Sequence, residues 1–546
     1  MRFVSILAAF AAAGAVAGVA APATVCTITV NSADERESFR RHLPAGDYRF
    51  VELVEGGRPD WLASSCEKGI QCDVLVVSGH FAGTEFYSSR PEVTETLKVD
   101  EIERVQCGGS CGLFSHLKEV YLFGCDSLKA EPVRSATPEV IRGLVREGEG
   151  ESQARAEGAA LSERYAESSR ELMRRLFPNV PVIYGFASLA PYGRTAGPLL
   201  DRYFAEAAPG EVGSGVASER LLALFGPSSM VAASGVREEE PAWAWRAQAC
   251  RYADERTPLA DKVALLHEAL AASGPDVRMS FDRAEKFFAA LPGVQDAAVA
   301  RELARLAGDA PARGRYLAFE RDTADPALRV RMIGLARTVG WLDAAGQRTE
   351  LASAIADVMA SRAMGFGEVD LVCGLNEDRA LDAELALFNV SRIPRGTAQE
   401  AARACLGSET ARGEVLRALA SRDEREVQLA QAYLRHRPIV DEMELRRVAL
   451  GVASMPASAG QVRALETLAR QHVADAKTFE ALAGLYARTR SREVQRAVAE
   501  VFLRSDRAGL PPSIARTLRQ RRLAPPGGDA LIDQLIAALP AGGAGT

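Results

Sequence analysis

Two uninterrupted apolar runs, Val74-Leu75-Val76-Val77 and Val120-Tyr121-Leu122-Phe123, end abruptly in Ser78-Gly79-His80 and Gly124-Cys125-Asp126-Ser127. Runs of this length without polar alternation predict strands buried on both faces, as in parallel sheets. In open α/β sheets chemistry collects beyond the carboxyl ends of such strands, so the pattern predicts that His80 and Cys125 meet there. Around them the period alternates. It reads as strand Thr24 to Val30, helix Ala33 to Leu43, strand Tyr48 to Val54 and a short helix around Trp61. A helical stretch from about Pro138 to Leu176, a strand Val180 to Phe186 and a closing segment Leu199 to Phe204 follow. Asn31 or Ser32 would cap the first helix, which carries acids in its first turn. Strand and helix in alternation predict a mostly parallel sheet flanked by helices, spanning residues 24–206.

The pattern then changes. Residues 207–240 are rich in Gly, Ser and Ala and read as a linker carrying one helix, Glu219 to Phe225. From 241 to 523 strand signals nearly vanish and amphipathic segments of two to four turns recur. Three share a lead-in: Asp325-Pro326-Ala327-Leu328-Arg329-Val330, Asp423-Glu424-Arg425-Glu426-Val427 and Arg490-Ser491-Arg492-Glu493-Val494. Val330 and Val427 lie 97 residues apart, and Val427 and Val494 lie 67 apart. These intervals fit three and two repeats of roughly 32 to 34 residues, the period of stacked helix pairs. The segment resembles HEAT-like repeats in pattern, with a plain helical bundle as the competing arrangement. Residues 524–546 read as a short helix and a disordered tail.

Met1-Arg2 followed by the Ala-rich apolar stretch Phe3 to Val19 reads as a signal peptide within residues 1–23, with cleavage after Ala20 or Ala23. A membrane anchor is the weaker reading, because the core is short and weakly hydrophobic. The expected location is periplasmic or secreted, with no stable membrane span after cleavage. A formal charge of −6 with both signs mixed throughout gives no reason to expect a nucleic-acid partner. Basic clusters such as Arg519-Gln520-Arg521-Arg522 read as solvated helix faces.

A thiol is a good nucleophile only as the thiolate. A cysteine peptidase therefore needs an imidazole beside its thiol and backbone N–H groups to hold the tetrahedral oxyanion. Gly79 and Gly124 would allow tight turns and let a substrate backbone approach. The interval from His80 to Cys125 is 45 residues, enough for a crossover between neighbouring parallel strands. His116 falls at the start of the second strand and so at the opposite sheet edge. No GxGxxG, P-loop or HExxH arrangement competes.

On Ser78-Gly79-His80 and Gly124-Cys125, each after a hydrophobic strand, the chain resembles the caspase-like cysteine peptidases, the group that includes metacaspases, separases, gingipains and CHAT domains. Tyr184-Gly185-Phe186-Ala187-Ser188-Leu189-Ala190-Pro191 resembles the strand and loop that follow the nucleophile in CHAT-type members. The likeness covers about Thr24 to Phe204. It implies a three-layer α/β sandwich, Cys125 as nucleophile, His80 as general base or acid, and an oxyanion site from backbone at Gly79, Phe81 and Gly124. Two departures stand out: Phe123-Gly124-Cys125-Asp126-Ser127 replaces the caspase Gln-Ala-Cys-Arg-Gly, and Phe81 replaces a glycine after the histidine. Glu85, Asp126 and Ser188 are the candidate substrate-pocket residues.

Cys66 and Cys72, and Cys107 and Cys111, form two close pairs in loops beside these strands. Disulfides within each pair are the favoured reading in an oxidising compartment, with other connectivities open and zinc disfavoured by the spacing. Cys26 is expected to face the core, Cys250, Cys373 and Cys405 to be buried in helices, and Cys125 to stay unpaired. No metal or other cofactor is expected. Two functions remain. One is an exported cysteine endopeptidase acting on protein or peptide substrates, self-processed within Gly148 to Arg170, whose helical repeats recruit substrate or a protein partner. The other is an inactive caspase-like scaffold that binds protein.

Overall fold

The computed structural model describes residues 21–539 apart from 91, 110, 133–135, 208–209, 292, 294–295, 388–395 and 506–509. The signal segment before residue 21 and the tail from 540 onward lie outside the described residues. Of the two expected cleavage points, Ala23 is already the first residue of a strand, its N–H donating to Asp47 O (2.8 Å). The chain divides into two compact units, Met1–Ala312 and Arg313–Thr546.

The first unit holds β1 (Ala23–Thr29), β2 (Tyr48–Glu52), β3 (Val74–Ser78), β4 (His80–Phe81), β5 (Glu85–Tyr87), β6 (Leu97–Lys98), β7 (Glu119–Phe123), β8 (Val182–Phe186) and β9 (Met230–Ala233). Six of these form one sheet in the order β2-β1-β3-β7-β8-β9. All its neighbours run parallel except β8 and β9. The three short strands β4, β5 and β6 make a separate antiparallel sheet directly after β3.

Both faces of the main sheet are covered, which explains the unbroken apolar runs. Leu75, Val77, Val120, Leu122 and Ile183 bury one face with α2 (Trp61–Glu67), α3 (Val99–Cys107) and α6 (Ser169–Leu176). Val74, Val76, Tyr121, Phe123, Tyr184 and Phe186 bury the other with α1 (Asp34–His42), α7 (Gly193–Glu206) and α8 (Glu219–Phe225). The helical stretch between β7 and β8 is three helices, α4 (Thr137–Arg146), α5 (Glu151–Tyr165) and α6.

Two boundary expectations change. The stretch expected as a linker contributes β9, which closes the sheet against β8, so 207–240 belongs to the α/β architecture. The helices expected to open the repeat array, α9 (Pro241–Ala253), α10 (Leu259–Leu270), α11 (Gly274–Ala290) and α12 (Ala297–Gly308), belong to the first unit. There α9 packs on α3, α5 and α6, and Arg278 of α11 pairs with Glu139 of α4 at 2.7 Å.

The cysteine pairing also differs from expectation. Cys26 bonds Cys72, Cys66 bonds Cys111, Cys107 bonds Cys250 and Cys373 bonds Cys405. Neither close pair in sequence is a bridge. Crossover connections bring β1 and β3, and the ends of α2 and α3, side by side, so proximity in space and not along the chain selects the partners. Four disulfides fit an exported protein. Among the described residues no helix is long and apolar enough to cross a membrane.

The second unit is helical. After α13 (Ala310–Asp322), α14 (Pro326–Thr338), α15 (Ala344–Ala360), α16 (Phe366–Leu375) and α17 (Asp382–Leu385) come α18 (Thr397–Cys405), α19 (Glu409–Ala418), α20 (Glu424–His436) and α21 (Glu442–Ser454). They are followed by α22 (Ala459–Leu468), α23 (Ala476–Arg488), α24 (Arg492–Arg504), α25 (Pro512–Gln520) and α26 (Ala530–Ala538). The even-numbered helices α16 to α26 stack in succession, and α19, α21, α23 and α25 form a second row. The three lead-in segments begin α14, α20 and α24, each capped by a side chain, Asp325, Asp423 or Ser491. Val427 and Val494 are buried, whereas Val330 at the matching place in α14 is only partly buried and Leu328, Met332 and Ile333 fill the core there. Buried amides tie turns to helices: Gln461 Nε2 donates to Val452 O and Met455 O, both at 3.0 Å.

Candidate active site at the strand ends

The β3–β7 register pairs Ser78 with Phe123, and Gly79 N–H extends it by donating to Phe123 O (3.3 Å). Two residues on, His80 and Cys125 leave neighbouring strands at the same end of the sheet. That end adjoins the point where strand order reverses between β1 and β3, the usual place for a ligand crevice in such sheets. Both side chains are partly exposed. Cys125 is the one free cysteine; the other eight are bridged.

The turn that presents Cys125 is stapled to β8. Asp126 adopts a left-handed backbone (φ 56°), a conformation Asp tolerates better than most residues. Its N–H donates to Ser188 O at 2.7 Å, and Leu128 N–H to Phe186 O at 3.0 Å. Ser127 Oγ, fully buried, accepts from Phe186 N (3.1 Å). Ala190 N–H points at the Cys125 sulfur (3.3 Å) and fixes its direction.

The imidazole is held from the end of β1. Asn31 Nδ2 lies 3.4 Å from His80 Nε2. Asn31 Oδ1 accepts from Ser88 Oγ (3.2 Å) and from Ser89 N–H (3.4 Å). Since a backbone N–H can only donate, these contacts assign the amide: its oxygen faces the serines and its nitrogen faces the ring. Nε2 is then the acceptor and the neutral ring carries its proton on Nδ1. Tyr87 lies beside the ring, with centroids 5.6 Å apart. The sequence suggests Asn31 or Ser32 as the helix cap. The Asn31 side chain turns instead to His80, and Ser32 Oγ is the group that accepts from Asp34 N (3.2 Å).

The expected oxyanion groups divide. Gly79 N–H is spent on Phe123 O. Ala82 N–H donates to Glu85 O (3.0 Å), so by antiparallel alternation Phe81 and Phe86 form a pair without mutual hydrogen bonds. Phe81 N–H therefore points away from β5. Cys125 N–H makes no hydrogen bond to any described residue. These two donors, rather than Gly79, are available to an oxyanion. The glycines serve the protein's own packing: a Cβ on Gly124 would meet Phe81 Cβ at 2.9 Å and Gly79 O at 3.0 Å, and one on Gly79 would meet Val30 Cγ2 at 2.5 Å. Making room for a substrate backbone is not what requires them.

Of the pocket candidates, Ser188 adjoins the turn that carries Cys125, its hydroxyl 2.6 Å from Ser229 Oγ. The Asp126 carboxylate pairs with Lys129 at 3.3 Å. Glu85 sits in β5 opposite Lys98, with no contact to His80 or Cys125 among those described. His116 precedes β7, at the other end of the sheet. The segment Gly148 to Arg170 contains α5, whose Ala154, Gly158, Leu161 and Ser162 are buried. It is not the extended exposed chain that cleavage requires. A cleft of about 480 Å³ lined by Asp60, Glu67, Glu101, Arg104 and Arg256 takes none of the strand-end residues. Among the described residues no cluster of three or more His, Cys, Asp or Glu is placed to hold a metal.

No family profile, curated protein or solved structure matches this chain.

Proposed function

We propose that the first unit is a caspase-like cysteine endopeptidase of the periplasm or the secreted medium, with Cys125 as nucleophile and His80 as its acid–base partner. The observation that carries this reading is selective: eight cysteines are consumed in bridges, and the ninth follows the end of β7, next to the strand whose end leads into His80, with an N–H aimed at its sulfur. In the reaction the sulfur attacks the scissile carbonyl carbon, and Phe81 and Cys125 N–H groups receive the oxygen as its charge grows. As the sulfur attacks, its proton passes to the His80 imidazole, and the imidazolium so formed gives a proton to the departing amine, leaving an acyl-enzyme that water hydrolyses as the same ring takes a proton from the water and returns one to the leaving sulfur. Asn31 orients the resting, neutral ring through Nε2. The second unit is read as a HEAT-like array that recruits a protein substrate or partner, a use suited to stacked helices.

The test is covalent labelling of the oxidised protein with acyloxymethyl-ketone peptides bearing Asp, Asn, Lys or Arg at P1, mapped by mass spectrometry. Labelling confined to Cys125 and lost in His80→Ala is the expected result, and its P1 preference names the substrate. A folded protein that no probe labels would instead be a caspase-like scaffold without turnover.

A further inference from the structure

Of the four disulfides, one stands in the wall of a cavity. Cys66 and Cys111 both line the cleft of about 480 Å³ beside α2 and α3, and each is partly exposed. Cys26–Cys72 is sealed in the core, both residues 0 % exposed, and Cys373–Cys405 is buried among helices. Cys107 and Cys250 are partly exposed, but neither lines the cleft. A disulfide exchanges by direct attack of a thiolate on one sulfur, so access decides which bridge reacts. A cleft of this size suits a small molecule.

The charges around the bridge are unevenly matched. Arg104 pairs with Glu255 (3.1 Å) and Arg256 with Asp254 (2.7 Å), all four in the cleft wall, and Asp60 pairs with Arg58 (2.7 Å). Glu67 and Glu101 also line the cleft, and neither has an ion-pair partner among the described residues. Glu67 follows Cys66 directly at the end of α2. On the other side Arg256 lies over the turn that leads into Cys111: a Cβ on Gly109 would meet its Nη2 at 3.1 Å. Unmatched negative charge is therefore left next to Cys66, while a guanidinium stands over the approach to Cys111. A nearby cation stabilises a thiolate, and the more stable thiolate leaves faster.

We infer that this cleft is a thiol–disulfide exchange site for a small aminothiol. Glu67 and Glu101 draw the ammonium group, and the incoming thiolate attacks Cys66 Sγ. The Cys66–Cys111 bond breaks, and Cys111 Sγ leaves as a thiolate on the Arg256 side. A second aminothiol displaces the first from Cys66, so two external thiols become one external disulfide and the chain gains two cysteine thiols. Opening this bridge unpins the end of α2 from the segment that leads into β7, while Cys26–Cys72 stays closed in the core. The inference does not depend on the peptidase reading.

The test uses the intact oxidised chain, with Cys125 first blocked by iodoacetamide, and three small thiols: cysteamine (positive), 2-mercaptoethanol (neutral) and mercaptoacetate (negative). Reactions are quenched with N-ethylmaleimide and every cysteine is mapped by mass spectrometry. Each rate is divided by that of the same thiol on a small neutral disulfide. Cys66–Cys111 should open before any other bridge, with the first adduct on Cys66. At low ionic strength cysteamine should outpace mercaptoacetate by about tenfold, and Glu67→Gln combined with Glu101→Gln should bring that ratio close to one. First opening at another bridge, a first adduct on Cys111, or wild-type rates indifferent to charge would overturn the inference. So would a ratio that the paired Gln substitution leaves unchanged in a chain that keeps its bridges and its circular dichroism.

Discussion

The two units solve the problem of order differently. In the first, residues far apart in sequence are locked by strand register and by three disulfides, and the candidate chemistry is assembled from the ends of β1, β3, β7 and β8. In the second, each helix meets its near neighbours, Gln and Asn amides tie turns to adjacent helices, and one disulfide joins α16 to α18. A site that needs Asn31, His80, Cys125 and Ala190 together can be built where long-range register fixes all four. A stack of helices instead offers a repeated surface. The cost of the first plan is dependence on cross-links and tight glycines.

Reduction should expose this difference most strongly. Chain-entropy arguments assign on the order of 4 kcal/mol to a bridge closing a loop of this size, and the sheet unit carries three against one. Calorimetry with and without reductant should show the transition of the first unit falling much further than that of the second. Equal shifts would break the comparison.

Acidity separates the units next. The folded Glu35 carboxyl titrates near 7 against an ordinary value of 4.5, so between those pH values the native chain keeps a proton that the unfolded chain has released. Its contribution therefore falls as pH rises through this window, by about 3 kcal/mol in all. Denaturant melts of wild type and Glu35→Gln from pH 4 to 8 should diverge by that amount in the first unit and coincide in the second.

Glycine substitution gives the smallest and sharpest contrast. Gly124→Ala forces a Cβ against Phe81 and Gly79 and should cost the first unit about 2 kcal/mol and slow Cys125 labelling. Gly413→Ala, inside α19 with nothing within 4 Å of the new Cβ, should stabilise the second unit by about 0.5 to 1 kcal/mol. Paired melts of the two variants read both signs.

What was legible in the sequence follows the same division. Val74–Val77 and Val120–Phe123 could be read as buried strands because both faces are apolar, and their abrupt ends marked His80 and Cys125. β9 escaped because Met230-Val231-Ala232-Ala233 is short, rich in small residues and set among Gly and Ser. The disulfides escaped because spacing along the chain does not report proximity across a crossover. Asn31 was visible but given the wrong role, since an Asn before an acidic helical turn reads as a cap, and only the fold shows its amide turned to His80. Glu35 looked like one of several first-turn acids. Its burial depends on α1 packing against α7 and β3, which no local pattern encodes.

The three bridges of the first unit also overlap like links of a chain, from 26 to 72, 66 to 111 and 107 to 250. A single peptide-bond cut anywhere between Cys26 and Cys250 therefore leaves both pieces in one covalent molecule. Self-processing in this region would pass unnoticed on a non-reducing gel and would register in intact mass only as the gain of one water. A chain cut once in this span would remain one covalent particle, told from the intact chain by that single water or by the separation of its pieces after reduction.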